Sequence, residues 1–156
     1  MRVIVAAIGR PSPLLAPAIR EYEDRAARYW KLEALALKGE RAGSHRPLTE
    51  VRAVEGERLR GAAPEGSDLV ALTRAGDAWS SERLARYLEE LAVSAHPGAT
   101  FLVGGAYGLD RQLVRDARHR LSLSPLTLPH DLARLLLAEQ LYRAGTILRG
   151  EPYHKG

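Results

Sequence analysis

Cysteine is absent from this chain of 156 residues. Its absence excludes a disulfide framework, a thiolate metal site and any mechanism with a cysteine nucleophile. The histidines show no metal-ligand spacing either, since they are scattered as His45, His96, His119, His130 and His154. We therefore expect no bound metal.

Several catalytic motifs are also missing. No G-x-S-x-G sequence occurs, so Ser122 and Ser124 are interpreted as loop residues rather than nucleophiles. A dinucleotide-dependent oxidoreductase would carry its glycine fingerprint after the first strand, but the chain has Gly9-Arg10-Pro11 there. The later glycine-rich segment at residues 104–108 lacks the lysine of a phosphate-binding P-loop. These enzyme classes are therefore disfavoured.

Long apolar runs are absent as well. None approaches the roughly 20 residues of a membrane-spanning helix, and residues 1–9 lack the charged leader of a secretory signal. We expect a cytoplasmic protein without a membrane partner. With 46% hydrophobic residues, the chain suits a single domain over residues 1–156.

Aromatic residues make up only 6% of the chain, while the net charge is +4. The positive charge favours an anionic partner such as nucleic acid. A non-enzymatic RNA-binding protein is one alternative, but we would expect it to have a denser basic face or interleaved aromatic residues.

Apolar segments and helical patterns alternate along the whole chain. Strands are predicted at residues 2–8, 31–37, 68–73, 100–103 and 120–123, and the first of these is a continuous β-branched run typical of a buried parallel strand. Helices are predicted between them and after Pro129, including residues 14–30, residues 49–62 and one capped by Ser80 or Ser81. This order predicts an α/β fold with a mainly parallel sheet flanked by helices.

Three loops leave the carboxyl ends of the predicted strands, which is where such sheets bind ligands. They comprise residues 73–79, 104–109 and 123–129. The glycines of the second loop fit either a ligand-cradling turn or a simple tight turn between strand and helix. The third loop is held out of helical conformation by Pro125 and Pro129. Together the loops favour a cofactor pocket lined by backbone amides and carbonyls.

The last predicted helix has leucines on almost every side, so we expect it to be buried. Glu139 and Arg143 lie one turn apart in the middle of a leucine-bearing face. Buried charges need partners. The pair indicates a polar cleft or a subunit interface, unless it is an ordinary ion pair at a helix edge. The tail at residues 151–156 has the composition of a frayed end.

Five segments carry a resemblance to a known family. The chain resembles the bacterial ribosomal RNA large subunit methyltransferase H family in Val5-Ala6-Ala7-Ile8-Gly9, Gly104-Gly105-x-x-Gly108-Leu109, Leu121-Ser122-Leu123-Ser124-Pro125-Leu126-Thr127-Leu128-Pro129-His130, Ala138-Glu139-Gln140-Leu141-Tyr142-Arg143-Ala144 and Pro152-Tyr153-His154-Lys155. The similarity spans essentially the whole chain. It implies a homodimer and a SPOUT-type fold with a C-terminal trefoil knot. General folding rules would not predict such a knot.

The resemblance further implies S-adenosylmethionine-dependent methylation of N3 of a pseudouridine in 23S ribosomal RNA, with the assembled 70S ribosome as substrate. A SPOUT methyltransferase with a different RNA acceptor is the alternative. The residues that match the cofactor site of the family are Leu72, Gly104, Leu123, Ser124, Pro125, Leu126, Thr127 and Leu128.

Our hypothesis for the catalytic residues is Arg143, Glu139 and His154. Arg143 and Glu139 shape the acceptor pocket, and Arg143 stabilises the developing imide anion. The residues expected to contact the RNA are His130, Tyr153 and His154. The tail that carries the last two completes the site of its own subunit or that of the neighbouring subunit. Histidine titrates near neutrality, so His154 is the candidate proton acceptor, with solvent as the alternative. In the rival assignment, Glu139 and Arg143 only hold the dimer together.

Overall fold

The computed structural model describes residues 1–155, in which strands and helices alternate. The strands are β1 (Arg2–Ile8), β2 (Lys31–Leu37), β3 (Asp68–Ala78), β4 (Gly98–Val103) and β5 (His119–Ser122). The helices are α1 (Ala16–Ala26), α2 (Leu48–Ala62), α3 (Ser81–Val93), α4 (Arg111–Asp116) and α5 (His130–Leu148), and a 3-10 helix follows at Pro152–His154. Gly156, the last residue of the predicted domain and tail, lies outside the described residues.

The strands form one sheet in the order β2-β1-β4-β3-β5, and every pairing is parallel. This confirms the predicted α/β class. β1 is buried along nearly its whole length because both of its faces are covered. Val3, Val5 and Ala7 belong to one hydrophobic cluster, and the alternate residues Ile4, Ala6 and Ile8 belong to the other.

The helices form a layer on each face of the sheet. Buried residues of α1, α3 and α5 pack in the first cluster, around Phe101 and Leu141. Leu59 of α2 and Leu113 of α4 pack in the second cluster. The predicted cap of α3 is present, since the Ser80 side chain accepts a hydrogen bond from the backbone nitrogen of Arg83 at 3.1 Å. No helix in residues 1–155 is long and apolar enough to cross a membrane.

β3 differs from its prediction. It was expected to end at residue 73 and to be followed by a loop through residue 79, but it continues to Ala78. Leu121 pairs first with Leu72 and again with Asp77, so residues 73–76 leave the ladder and the strand then resumes. The return requires a glycine, because a Cβ on Gly76 would lie 2.5 Å from the carbonyl oxygen of Arg120. The predicted loop is therefore wrong for residues 73–78, which all belong to β3.

The expectation that α5 is buried on almost every side is only partly correct. Its inner face is buried, but Leu136 is 38% exposed and Leu148 is 36% exposed. The helix also buries a charge, Arg134, whose Nε and Nη2 donate to the Glu23 carboxylate on α1 at 2.7 and 3.2 Å. This ion pair, which joins residues 111 positions apart, fixes α5 against α1.

Replacing Arg134 with alanine should lower the free energy of unfolding by about 3 kcal/mol, because it leaves the nearly buried Glu23 carboxylate without its partner. The control is Arg60→Ala, which removes an exposed ion pair with Asp116 and should cost less than about 1 kcal/mol. Urea unfolding at one fixed protein concentration measures both. Equal losses in the two variants would contradict a structural role for the buried pair.

Candidate functional site

A cleft of about 300 Å³ opens at the carboxyl edge of the sheet. Its walls come from the middle of β3, the end of β4, the glycine loop, α4, the loop after β5 and the start of α5. The lining residues are Leu72, Thr73, Arg74, Val103, Gly104, Gly105, Gly108, Leu109, Val114, Leu123, Ser124, Leu126, Thr127, Leu128, His130 and Ala133. The predicted ligand loops at residues 104–109 and 123–129 therefore meet here, together with Thr73 and Arg74 from the part of β3 that leaves the ladder.

The glycine loop is a tight turn that also lines the cleft. Gly105 and Gly108 form an antiparallel bridge, and Gly108 has a φ of +79°. A Cβ on Gly104 would lie 2.8 Å from the carbonyl carbon of Gly108, so no larger residue fits without moving the turn. The loop is therefore a tight turn between strand and helix whose backbone lies at the wall of the cleft, and its role in cradling a ligand stays a prediction.

The loop after β5 is fixed by its own side chains. Ser122 Oγ donates to the carbonyl oxygen of Ser124 at 3.1 Å, and the Leu126 nitrogen donates to Ser124 Oγ at 3.0 Å. Arg74 Nη1 donates to Thr127 Oγ1 at 2.8 Å, which ties this loop to the detour in β3. Both serines thus hold this loop in shape. Ser124 lies in the loop as predicted, whereas Ser122 is the last residue of β5.

A second cleft, of about 370 Å³, lies beside the first, at the carboxyl ends of β1 and β2. Gly105 and His130 line both clefts. The second cleft also contains Glu55, which is only 4% exposed. Glu55 was not predicted as a site residue. It lies between the buried Val51 and Leu59 at helical spacing, so a charge within an apolar stripe was the available signal.

Glu139 is the centre of a polar network on α5. Its Oε1 accepts hydrogen bonds from Arg143 Nε at 3.0 Å, Arg143 Nη2 at 2.6 Å and the Tyr153 hydroxyl at 2.9 Å. Its Oε2 accepts from Gln140, whose own Oε1 accepts from Ser81 Oγ of α3 at 2.6 Å. The network therefore joins α5 to α3 and to the tail.

The electrostatics of this network keep Arg143 charged and Tyr153 protonated. The hydrogen bond to Glu139 raises the pKa of Arg143. Burial, with hydrogen bonds to Tyr22 and Glu139, raises the pKa of the Tyr153 phenol. The Arg143 guanidinium also lies over the Tyr153 ring, 4.9 Å from its centroid. The composition of the tail is that of a frayed end, but Tyr153 docks the tail on α5.

Comparison with known proteins identifies the family. The model of the family described as "Predicted SPOUT methyltransferase" matches residues 1–154. A ribosomal RNA large subunit methyltransferase H of Gemmatimonas aurantiaca is 48% identical over 99% of this chain and 100% of its own length. Proteins of the same description are 42% identical in Acetivibrio thermocellus, over 99% of this chain and all of the relative, and 40% identical in Nitrosospira multiformis, over 99% of each chain. The chain belongs to the ribosomal RNA large subunit methyltransferase H family of SPOUT methyltransferases.

In this SPOUT methyltransferase, the residues predicted to bind the cofactor are brought together in the first cleft, apart from Pro125, which is not among the residues that line it. Arg74 and Ala133 also line the cleft but were not singled out. Arg74 lies in one of the three ligand loops and could have been found from its position. Ala133 is one turn into α5 and carries no polar group that would have marked it.

The predicted catalytic residues lie elsewhere on the SPOUT methyltransferase chain. Glu139 and Arg143 are six and ten residues beyond Ala133 on α5, or about 9 and 15 Å along the helix axis. Tyr153 docks beside them, and His154 follows it in the 3-10 helix, whereas His130 lines both clefts. Within residues 1–155, no group of three His, Asp or Glu residues could hold a metal ion.

Tyr153→Phe should lower the free energy of unfolding by about 1 kcal/mol, because it removes one hydrogen bond to the partly buried Glu139 carboxylate while Arg143 keeps its own. It should also speed amide hydrogen exchange at Lys155, whose nitrogen donates to the carbonyl oxygen of Pro152. The control is Tyr107→Phe, since the Tyr107 hydroxyl makes no hydrogen bond to another described residue. Unchanged exchange at Lys155 in Tyr153→Phe would show that Tyr153 does not hold the tail.

Proposed function

We propose that this protein transfers a methyl group from S-adenosylmethionine to N3 of a pseudouridine in 23S ribosomal RNA, with the assembled 70S ribosome as its substrate. The observation that carries the proposal is the cleft at the carboxyl edge of the sheet, built from the residues by which the chain resembles ribosomal RNA methyltransferases. A ribosomal substrate also places the proposed activity in the cytoplasm.

The first cleft fits the cofactor. A volume of about 300 Å³ is in the range of small-molecule pockets. The backbone of the loop after β5 offers amides and carbonyls to the adenine edge, and Leu72, Leu123 and Leu128 offer apolar surface to its face. Gly104, where a Cβ would collide with the glycine turn, allows the main chain to approach the ribose and the methionine moiety. When bound, S-adenosylmethionine supplies a methyl group made electrophilic by its sulfonium.

S-adenosylmethionine should raise the melting temperature of the protein, because a ligand that binds only the folded state stabilises it. A nicotinamide dinucleotide should not. In Gly104→Ala the shift should disappear, since the added methyl group displaces the glycine turn from the cleft wall. Gly61→Ala is the matched control, because a Cβ at Gly61 meets nothing within 4 Å. A full shift in Gly104→Ala would remove this glycine from the cofactor site.

Arg143 is the proposed electrostatic catalyst. Methylation at N3 removes the imide proton, so the site must stabilise negative charge that develops on the base. Arg143 directs Nε and Nη2 at Glu139 and leaves Nη1 outside that pairing. Glu139 thereby orients a guanidinium whose remaining donor can meet the base. His154 takes the proton in this proposal, and Tyr153 and His130 contact the RNA.

The distance along α5 supports a homodimer. Arg143 lies about 15 Å along the helix axis from Ala133, a cleft residue on α5, so we propose that Arg143 and the tail of one subunit face the cleft of the other. Leu136, which is 38% exposed and lies on nearly the same side of α5 as Arg143, supports this face as the interface. The trefoil knot of the SPOUT fold and the single domain over residues 1–156 are part of the same proposal.

The activity is tested by transfer of labelled methyl groups from S-adenosylmethionine to 70S ribosomes, 50S subunits and naked ribosomal RNA, all from cells that lack this enzyme. Label at N3 of one pseudouridine on 70S ribosomes is the expected result. No label on any of the three, with cofactor binding intact, would contradict the proposed acceptor.

Arg143→Ala should lower the transfer rate about a hundredfold while the protein still dimerises, as expected when a donor to developing charge is lost. Arg86→Ala, which changes an exposed arginine on α3, should transfer normally. Sedimentation or light scattering gives the oligomeric state of each variant. A dimeric Arg143→Ala protein with the normal rate would exclude the catalytic role, and loss of the dimer would support the rival role at the interface.

A further inference from the structure

Arg74 gives the first cleft a positive charge that nothing on the cleft wall balances. Most of the residues that line this cleft are apolar or glycine, and within residues 1–155 no aspartate or glutamate lines it. An arginine side chain keeps its charge permanently in proteins. The cleft therefore favours a ligand that carries an anionic group.

The guanidinium of Arg74 connects two walls of the cleft. Arg74 lies in residues 73–76, where β3 leaves the ladder. Its Nη1 donates a hydrogen bond at 2.8 Å to Thr127 Oγ1, which belongs to the loop after β5. Both residues are exposed, so this connection lies at the rim of the cleft. Thr127 holds in one direction a long side chain that would otherwise rotate freely.

Two donors of Arg74 remain free on the same edge of the guanidinium. Nε and Nη2 form no hydrogen bond with another residue of the described chain, since Arg74 bonds there through Nη1 alone. No carboxylate of residues 1–155 forms an ion pair with Arg74 either. The Nε and Nη2 edge matches the two oxygens of a carboxylate, which it binds through two parallel hydrogen bonds.

The polarity of the cleft changes from its interior to its rim. Val103, at the end of β4, is only 2% exposed, whereas Leu126 is 71% exposed beside Thr127. S-adenosylmethionine has an adenine ring at one end and an amino acid at the other, and the carboxylate of that amino acid is its only anionic group. Because burying a charged group is costly, the ring suits the apolar interior and the carboxylate suits the rim.

We propose that Arg74 binds the carboxylate of S-adenosylmethionine through Nε and Nη2, and that Thr127 positions the guanidinium for this contact. The inference rests on the proposed function and deepens it, since it assigns a residue to the single anionic group of the cofactor. A phosphate of the RNA is the competing partner for an exposed arginine. The carboxylate is favoured because Arg74 is tied to the loop that carries the proposed cofactor residues.

The test compares S-adenosylmethionine with decarboxylated S-adenosylmethionine, which has a hydrogen in place of the carboxylate. Isothermal titration calorimetry gives the Kd of each ligand for wild type and for Arg74→Ala. In Arg74→Ala the Kd of S-adenosylmethionine should rise about tenfold, as for a charge-assisted pair at a partly exposed site. The Kd of the decarboxylated ligand should not rise, so the preference for the carboxylate should fall by the same factor.

Arg86→Ala is the matched control, because it removes an exposed arginine of α3 that does not line the cleft. It should keep the wild-type preference, which separates a contact with the carboxylate from the loss of one positive charge on the molecule. Arg74→Lys keeps the charge at the rim but replaces the planar fork with a single ammonium. It should restore only part of the preference.

Thr127→Val tests the positioning role, since it keeps the shape of the side chain and removes the hydroxyl that holds Arg74. The Kd of S-adenosylmethionine should rise about threefold, because the guanidinium must then be ordered when the ligand binds. The Kd of the decarboxylated ligand should stay unchanged. Equal rises for the two ligands would show that Thr127 shapes the loop and does not act through Arg74.

An unchanged preference in Arg74→Ala would overturn the inference. So would an equal rise in both Kd values, which a purely structural role of Arg74 predicts. An unchanged preference together with a raised KM for 70S ribosomes would assign Arg74 to an RNA phosphate instead. A wild-type protein that binds neither ligand would overturn the proposed function itself, and this inference with it.

Discussion

The burial of β1 on both faces is the constraint on which the rest of the structure depends. A strand with Ile4 on one side and Val5 on the other must have a helix layer above and below it. With both faces covered, polar backbone is available to a ligand only at the ends of the strands. The parallel arrangement then collects every loop that follows a strand at one edge, and both clefts open there.

α5 connects two polar regions of the molecule and fixes the distance between them. Its first turn lines both clefts through His130, and its later turns carry the network of Glu139 and Arg143. The buried contact between Arg134 and Glu23 lies between these regions and prevents the helix from sliding on α1. One rigid helix therefore fixes the distance between the clefts and the network. A flexible loop could not fix it.

Much of this architecture could be predicted because apolar runs report burial directly. The strands, the parallel sheet and two of the loops at its edge followed from such patterns. The return of β3 after Gly76 could not be predicted, because it depends on a close contact with the Arg120 backbone far along the chain. Likewise, the pairing of Arg134 with Glu23 joins residues far apart in the chain and could not be predicted from either residue's local sequence. Glu55 was visible as a charge in an apolar stripe, yet its unpartnered oxygen is a fact of tertiary packing.

The detour in β3 has a consequence for how such an enzyme can change over time. Leu121 pairs with the strand both before and after residues 73–76, so the length of the detour does not set the register of either ladder segment. Insertions or deletions there leave the sheet intact while they reshape the wall that carries Arg74. The shape of the cleft can therefore change among descendants at residues 73–76 with little loss of stability of the sheet.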